Sequence, residues 1–364
     1  MPRVVTEAIQ VQAERWLHIG RMSLTEYHVM VAARDALRQR LARLIGGRPG
    51  EIAITTGVTI GINHVIWGLE WAPGDEVVTT NLEHPGLVGP LAVLARRRGV
   101  VVRFVDLETG AEELEDRVRA CCGPRTRLVA LSHVAWTTGA VMDVAGAARA
   151  AHEVGALVLV DGAQAVGALP VDVRALGVDA YSLPAQKWLL GPEGLAALWI
   201  ADEALDRVDV TFAGIGSGSG HQTDGAMSAH HEARKLEAGM FAEILVPGWS
   251  AALDWIEGLR DPDDAEGRSG WELTAHHTQR AVTNTRAALS EVGATIVTPR
   301  GHEAGLLSFT LPGIDPEVAA ARLEAQDIIL RWVPHPRLLR TSTGFFTNDE
   351  DIRRLASAVD GLTG

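Results

Sequence analysis

The 364-residue chain carries 33 Lys and Arg against 46 Asp and Glu, a formal net charge of −13 that disfavours nucleic acid and anionic membrane surfaces as partners. No run of about twenty apolar residues spans a bilayer, and no apolar signal segment opens the chain. Two adjacent cysteines, Cys121 and Cys122, make no disulfide framework, so a globular cytoplasmic protein is expected.

Residues 1 to about 44 read as helical, with Leu37, Leu41 and Leu44 on one face and Gly46-Gly47 as the stop. Ile52 to Asn63 reads as a strand, a turn at Gly57 and a helix start. Backbone N–H groups there, with the Thr59 hydroxyl, make an anion site, although such a turn is by itself an ordinary helix cap. Glu76 to Thr80 is a predicted strand with His84 at its carboxyl edge; one histidine among 13 in a loop carries little alone. Val101–Val105 and Leu128–Ser132 are predicted strands. The helix expected between them carries Glu112, Glu113 and Glu115, read as a solvated face. Trp136 follows in Val-Ala-Trp-Thr-Thr-Gly-Ala, either a pocket wall or a packed core aromatic.

The aliphatic run Leu157–Val160, closed by Asp161 and Gly162, predicts a buried parallel strand reaching its carboxyl end. Asp179–Leu183 predicts another short strand, with Lys187 in the turn before Gly191-Pro192. Ligands of open α/β sheets sit at the carboxyl ends of strands, which sets Asp161 and Lys187 facing one cleft. A lysine amine condenses with an aldehyde to a Schiff base. Pyridoxal phosphate (PLP) uses that link together with an acidic partner for its ring nitrogen. DGAQAVGALPVDV from Asp161, followed by Lys187 before Gly-Pro-Glu-Gly, resembles the class V aminotransferase group of cysteine desulfurases, selenocysteine lyases, isopenicillin N epimerase-like proteins and cystine C-S lyases. The resemblance covers nearly the whole chain, and the WGLEW…GDE…EHPG wording is closest to the cystine lyase branch.

The resemblance implies an α/β fold of the fold type I PLP-dependent class, with a large domain built on a mixed, mostly parallel sheet and a smaller C-terminal α+β domain. The expected division is a helical segment over 1–30 packing with the small domain, the PLP domain over 31–248 and the small domain over 249–364. It implies that Lys187 carries the cofactor and that His84 stacks on its ring and handles protons. Asp161 partners the ring nitrogen and Gln164 the ring oxygen, while Val58, Thr59 and Gln186 hold the phosphate. Arg340, in an Arg-x-Ser-like strand, holds the substrate's α-carboxylate, and Trp136 walls the substrate pocket. No metal is called for. A homodimer is implied, because the family's site forms between two chains.

Four departures stand out. Relatives have Ser or Thr three before the lysine and His one before it, where this chain has Pro184 and Gln186; Ser182 is a candidate to rebuild the lost contact. Met240 stands where relatives have a threonine that reaches the neighbouring subunit's phosphate. The sequence starts after the family's extended N-terminal stretch that lines the site, so a more open site, or one covered by something else, is expected. Gly194–Ile200 is expected to close the large sheet, and the Gly-, Ser- and His-rich Thr211–Met227 is read as a mobile loop near the site or a plain linker. Helices over 249–256, 274–292 and 316–326 and strands over 294–297 and 306–311 are expected, with Arg331 and Arg337 as surface charges.

The last departure concerns chemistry: no cysteine follows Cys122, where sulfur-relaying desulfurases keep a persulfide-carrying one. The expected activity is therefore a PLP-dependent carbon–sulfur lyase that acts by β-elimination on cystine or a related cysteine derivative. A cysteine-conjugate sulfoxide lyase of the ergothioneine type, an amino-acid epimerase and a non-catalytic accessory protein of the same fold are the alternatives.

Overall fold

Two helices open the chain, α1 (Arg3–Ile19) and α2 (Leu24–Leu44), separated by Gly20 at φ +74° and by Ser23, whose hydroxyl caps α2 by accepting from the Glu26 N–H. The computed structural model of the protein describes residues 1–219, 224–239 and 241–363. Glu26 is buried and accepts from Gln12, Arg15 and Trp16, which clasps α1 to α2. Leu37 and Leu41 are fully buried and Leu44 packs against the same core, as the helical spacing predicted.

Strand β1 (Ile52–Thr55) leads into α3 (Val58–Gly68), then β2 (Glu76–Thr80), α4 (Pro85–Arg98) and β3 (Val101–Val105). Next come α5 (Leu114–Cys121), β4 (Thr126–Ser132), α6 (Val144–His152), β5 (Leu157–Asp161), α7 (Val173–Leu176), β6 (Ala180–Pro184), β7 (Ala196–Ile200) and α8 (Asp202–Leu205). The seven strands form one sheet in the order β1-β7-β6-β5-β4-β2-β3. Neighbours from β6 to β3 are parallel, and β7 alone runs antiparallel to both its neighbours. The predicted last strand completes the sheet from within: β7 is inserted between β1 and β6. Strands β1, β4, β5, β6 and β7 are buried almost throughout, which explains their near-continuous aliphatic sequences.

Strand β8 (Gly218–Ser219) falls inside the predicted Thr211–Met227 loop and pairs antiparallel with β9 (Ser228–Ala229) just beyond it; residues 220–223 of that loop lie outside the described residues. Met240 lies outside them as well. Helices α9 (Val246–Glu257) and α10 (Gly270–Glu291) follow, then β10 (Thr295–Ile296), β11 (Leu306–Thr310), α11 (Pro316–Glu324), β12 (Arg331–Val333), β13 (Leu338–Ser342) and α12 (Asp349–Thr363). Strands β10 to β13 form an antiparallel sheet in the order β10-β11-β13-β12. It has its own core of Leu289, Leu307, Phe309, Leu323, Leu339 and Val359. Val246, Trp249 and Leu253 of α9 join the larger core instead, and α1 lies along α9, where Gly248 leaves room for Val5 and Ile9.

One predicted helix is shorter than expected. Helix α5 begins at Leu114, so Glu112 and Glu113 precede it. The Glu112 carboxylate accepts from the backbone N–H groups of Glu108, Thr109 and Gly110, a turn the charge pattern alone could not reveal. Glu115 is on the helix, paired with Arg119 and Arg149.

Candidate active site

Five loops at the carboxyl ends of β1, β2, β4, β5 and β6 converge on a cavity of about 310 Å3. Val58, Thr59, His84, Trp136, Asp161, Gln164, Gln186 and Lys187 all line it, so eight of the nine predicted site residues meet here. The ninth, Arg340, lines a second cavity of about 750 Å3 that opens outward and shares His84, Trp136, Gln164 and Lys187 with the first.

Asp161 ends β5 buried, and its Oδ1 accepts from the Ala163 N–H at 2.9 Å. Burial raises its pKa, opposed by that N–H and by the charges of Lys187 and His84. Gly162 is required beside it, because a Cβ there would lie 2.0 Å from the Tyr181 ring packed behind the strand. Burial lowers the Lys187 pKa and Arg340 adds to the effect, against the pull of Asp161. A lysine so placed reaches its neutral, nucleophilic form more readily than an exposed one.

His84 caps α4: its Nδ1 accepts from the Gly86 N–H at 3.0 Å. A neutral ring bonded in this way carries its proton on Nε2. Its pKa is lowered by loss of solvent, which Asp161 opposes and the charges of Lys187 and Arg340 reinforce, and this favours the neutral ring. The Trp136 ring meets it edge-on with centroids 5.0 Å apart at 82°. Trp136 is thus a cavity wall and not a core aromatic. Its loop is stitched to the small sheet: Ser308 Oγ donates to the Thr137 carbonyl at 2.7 Å, and Thr298 Oγ1 to that of Thr138 at 2.5 Å.

Arg340 Nη1 donates to the Trp136 carbonyl, and the Arg340 guanidinium lies 5.8 Å from the Trp136 ring centroid. Burial lowers its pKa to about 10, with help from Arg331, which leaves it charged at neutral pH. Arg340 Nε and Trp136 Nε1 are buried donors with no hydrogen-bond partner among the described residues. Arg331, read from sequence as a surface charge, faces Arg340 across the β12–β13 pair and lines the outer cavity. The alternation of Arg331-Trp-Val could have indicated a strand, but its pairing partner is set only in three dimensions. Arg337 is a surface charge as expected, paired with Asp315.

Sequence reading also missed Glu83, buried between β2 and β4. It accepts from Thr80 Oγ1 at 2.7 Å and from Ser132 Oγ at 2.5 Å. Burial pushes its pKa up to about 7, opposed by those donors and reinforced by Asp161. Ser182 does not rebuild the phosphate contact: it is fully buried and its hydroxyl donates to the Val58 carbonyl at 3.1 Å, beneath α3.

These residues fit PLP on their own chemistry. The first N–H groups of α3, an 11-residue helix, have no intrahelical acceptor and suit a phosphate, with Thr59 Oγ1 beside them. Asp161 has an oxygen to offer a ring N–H, Gln164 an amide for a ring oxygen, and Lys187 an amine for the aldehyde. Pro184 lines the same cavity and offers the phosphate no N–H or hydroxyl.

The sequence model of the family described as "Aminotransferase class-V" matches residues 1–355. A probable cysteine desulfurase of Pseudomonas aeruginosa is 33% identical over 343 residues, covering 90% of this chain and 82% of that protein. An isopenicillin N epimerase of Streptomyces clavuligerus is 30% identical over 346 residues, with 90% and 84% covered. Among solved structures, a cystine C-S lyase in complex with its product cysteine persulfide superposes with a TM-score of 0.91 at 28% identity, over 99% of this chain and 94% of that one. A mutant of that lyase with glycine covalently linked to its PLP cofactor gives 0.90 at 29% identity, over 99% and 93%. The match along nearly the whole chain, together with a cavity suited to PLP at the strand ends, makes this chain a member of the class V aminotransferase family of PLP-dependent, fold type I enzymes.

Proposed function

We propose that the chain is a carbon–sulfur lyase that cleaves L-cystine, or a close cysteine derivative, by β-elimination. The observation that carries this reading is the pair of guanidiniums, Arg331 and Arg340, on facing strands at the outer cavity that also holds Lys187 and His84. Cystine is two amino acids joined tail to tail, so a site for it needs a second carboxylate partner beyond the one at the reacting carbon. Arg340 suits the near carboxylate, and Arg331 the far one. Glu317 and Glu324 line the same cavity and suit the far ammonium. Cys121 and Cys122 lie at the end of α5, and burial pushes the Cys122 thiol up to about 11, which favours no persulfide relay through it.

When bound, the cofactor supplies an electron sink for the pair released at the substrate's α-carbon. Lys187 takes the α-proton as general base. Arg340 holds the α-carboxylate and thereby orients the α C–H bond. His84, neutral with its proton on Nε2, covers one face of the inner cavity together with Trp136. The Cβ–S bond breaks with its electrons going to sulfur. With one water, cystine yields cysteine persulfide, pyruvate and ammonia, which balances atoms and charge. The exposed Leu17, Met22, Leu24, Phe212 and Ile215 side chains support a homodimer as the working unit, and the two free cysteines support a cytoplasmic setting.

The test is pyruvate release from L-cystine by the PLP-loaded enzyme, with Lys187→Ala as control and Arg331→Ala as probe. The reading expects pyruvate from the wild type, none from Lys187→Ala, and a KM raised about tenfold or more in Arg331→Ala for cystine but not for an S-alkylcysteine. A spectral response to cystine without pyruvate refutes the lyase reading. A second reading, amino-acid epimerisation, is favoured by the 30% identical epimerase. It uses the same residues and differs only in the face to which the proton returns; exchange of the α-proton in deuterated water with inversion and no pyruvate is its signature.

A further inference from the structure

We infer that Trp188 is a positioning residue for Gln164: its indole N–H holds the amide in the one orientation that turns the amide NH2 toward the cofactor's ring oxygen. Trp188 Nε1 donates to Gln164 Oε1 at 3.0 Å. An indole N–H only donates, so the amide atom facing it must be the oxygen. The NH2 end is then left for the cavities, both of which Gln164 lines. A flipped amide would set two donors against each other and present its carbonyl to an electron-rich ring oxygen.

The indole is itself pinned. It is buried, and a Cβ added at Gly305 would lie 2.2 Å from its Cη2, while one at Gly344 would lie 3.2 Å from its Cζ3. Gly305 immediately precedes β11, and Gly344 follows β13, the strand that carries Arg340. On the large-domain side the backbone of the residue is held as well: a Cβ at Gly167 would lie 2.8 Å from the Trp188 carbonyl carbon. The turn holding Lys187 and Trp188 is closed by Leu190 N–H to the Lys187 carbonyl at 3.0 Å and Gly191 N–H to that of Ala185 at 2.8 Å, with Leu190 in the left-handed region at φ +56°. Glycines beside two strands of the small sheet thus hold an indole carried by the lysine turn of the large sheet, and the indole fixes one amide.

The consequence is a proton affinity. Donation from Gln164 stabilises negative charge on the ring oxygen, which weakens that oxygen's hold on the proton of the neighbouring Lys187 linkage. Removing the indole N–H frees the amide to turn, so the linkage keeps its proton to higher pH. The inference rests on Gln164 as the ring-oxygen donor.

The test is a spectrophotometric pH titration of the visible band of the PLP-loaded enzyme in wild type, Gln164→Leu, Trp188→Phe and the double variant, with circular dichroism as a check on folding and Trp188→Leu as a second replacement. Gln164→Leu is expected to raise the midpoint by about one pH unit, and Trp188→Phe to raise it by about half a unit or more. The double variant is expected to match Gln164→Leu alone. A merely structural role for Trp188 would lower the melting temperature without moving the midpoint. A shift in Gln164→Leu with none in the Trp188 variants, or shifts that add in the double variant, overturns the role of Trp188. No shift in Gln164→Leu removes the ring-oxygen reading and this inference with it.

Discussion

Replacing Glu83 by glutamine is expected to stabilise the protein at pH 8 and to do little at pH 5. The carboxyl is enclosed by Thr80 and Ser132 with no cationic partner among the described residues, and burial raises its pKa to about 7 against an ordinary 4.5. Between those two values the folded chain keeps a proton that the unfolded chain releases. Stability from this group is therefore present in full below pH 4.5 and is lost as pH rises through 7. The loss amounts to about 3 kcal/mol. Glutamine removes it, because its carbonyl accepts from the Ser132 hydroxyl and its NH2 donates to Thr80 Oγ1, which already accepts from the Leu82 N–H. Urea unfolding of the cofactor-free protein at matched concentration, at pH 5, 6, 7 and 8, measures the gap between variant and wild type. The gap should be small at pH 5 and widen to about 3 kcal/mol by pH 8. A gap flat across that range, or a variant less stable than wild type at pH 8, refutes the placement of a protonated Glu83 beside Asp161.

Arg340→Lys loses the planar fork and the bond to the Trp136 carbonyl; the KM for L-cystine should rise about 30-fold with kcat within a few-fold, and an unchanged KM would clear Arg340 of carboxylate binding. Gly305→Ala drives a Cβ into the Trp188 indole and should cost about 1–3 kcal/mol in thermal unfolding, whereas a wild-type melting temperature would contradict the packing. Arg38→Met breaks a buried ion pair in which Arg38 Nη2 meets both oxygens of Glu237 at 2.7 Å, with Glu237 also accepting from the Ile54 N–H. It should cost about 3–5 kcal/mol, and an unaffected stability would show that Glu237 finds another partner or water.

Local pattern pointed to the acid and the lysine, and the family resemblance supplied most of the rest of the site. Asp161 follows a run of four aliphatic residues, and a strand end in a parallel sheet is where ligands gather, so its position was legible before any coordinates. His84 and Thr59 each lie just beyond a strand at a helix start, but that position alone carried little, and it was the family resemblance that gave them their roles. Ser182 misled, because alternation along a strand gives two faces but not which of them the cavity takes. Glu112 misled because a carboxylate that caps a turn and one that faces solvent look alike in sequence.

By itself the sequence determined the order of strands and helices, the loops that bear the lysine and the acid, and the family chemistry they serve, since these follow from hydrophobic period and short motifs. Only the tertiary structure decided that Arg331 stands opposite Arg340, that Glu83 is walled in by two hydroxyls, and that the Trp188 indole meets the Gln164 amide. Each of these joins side chains from different elements. Register between strands, burial of a charge and the direction of a hydrogen bond depend on which neighbours arrive from elsewhere in the chain, and local sequence carries no record of them.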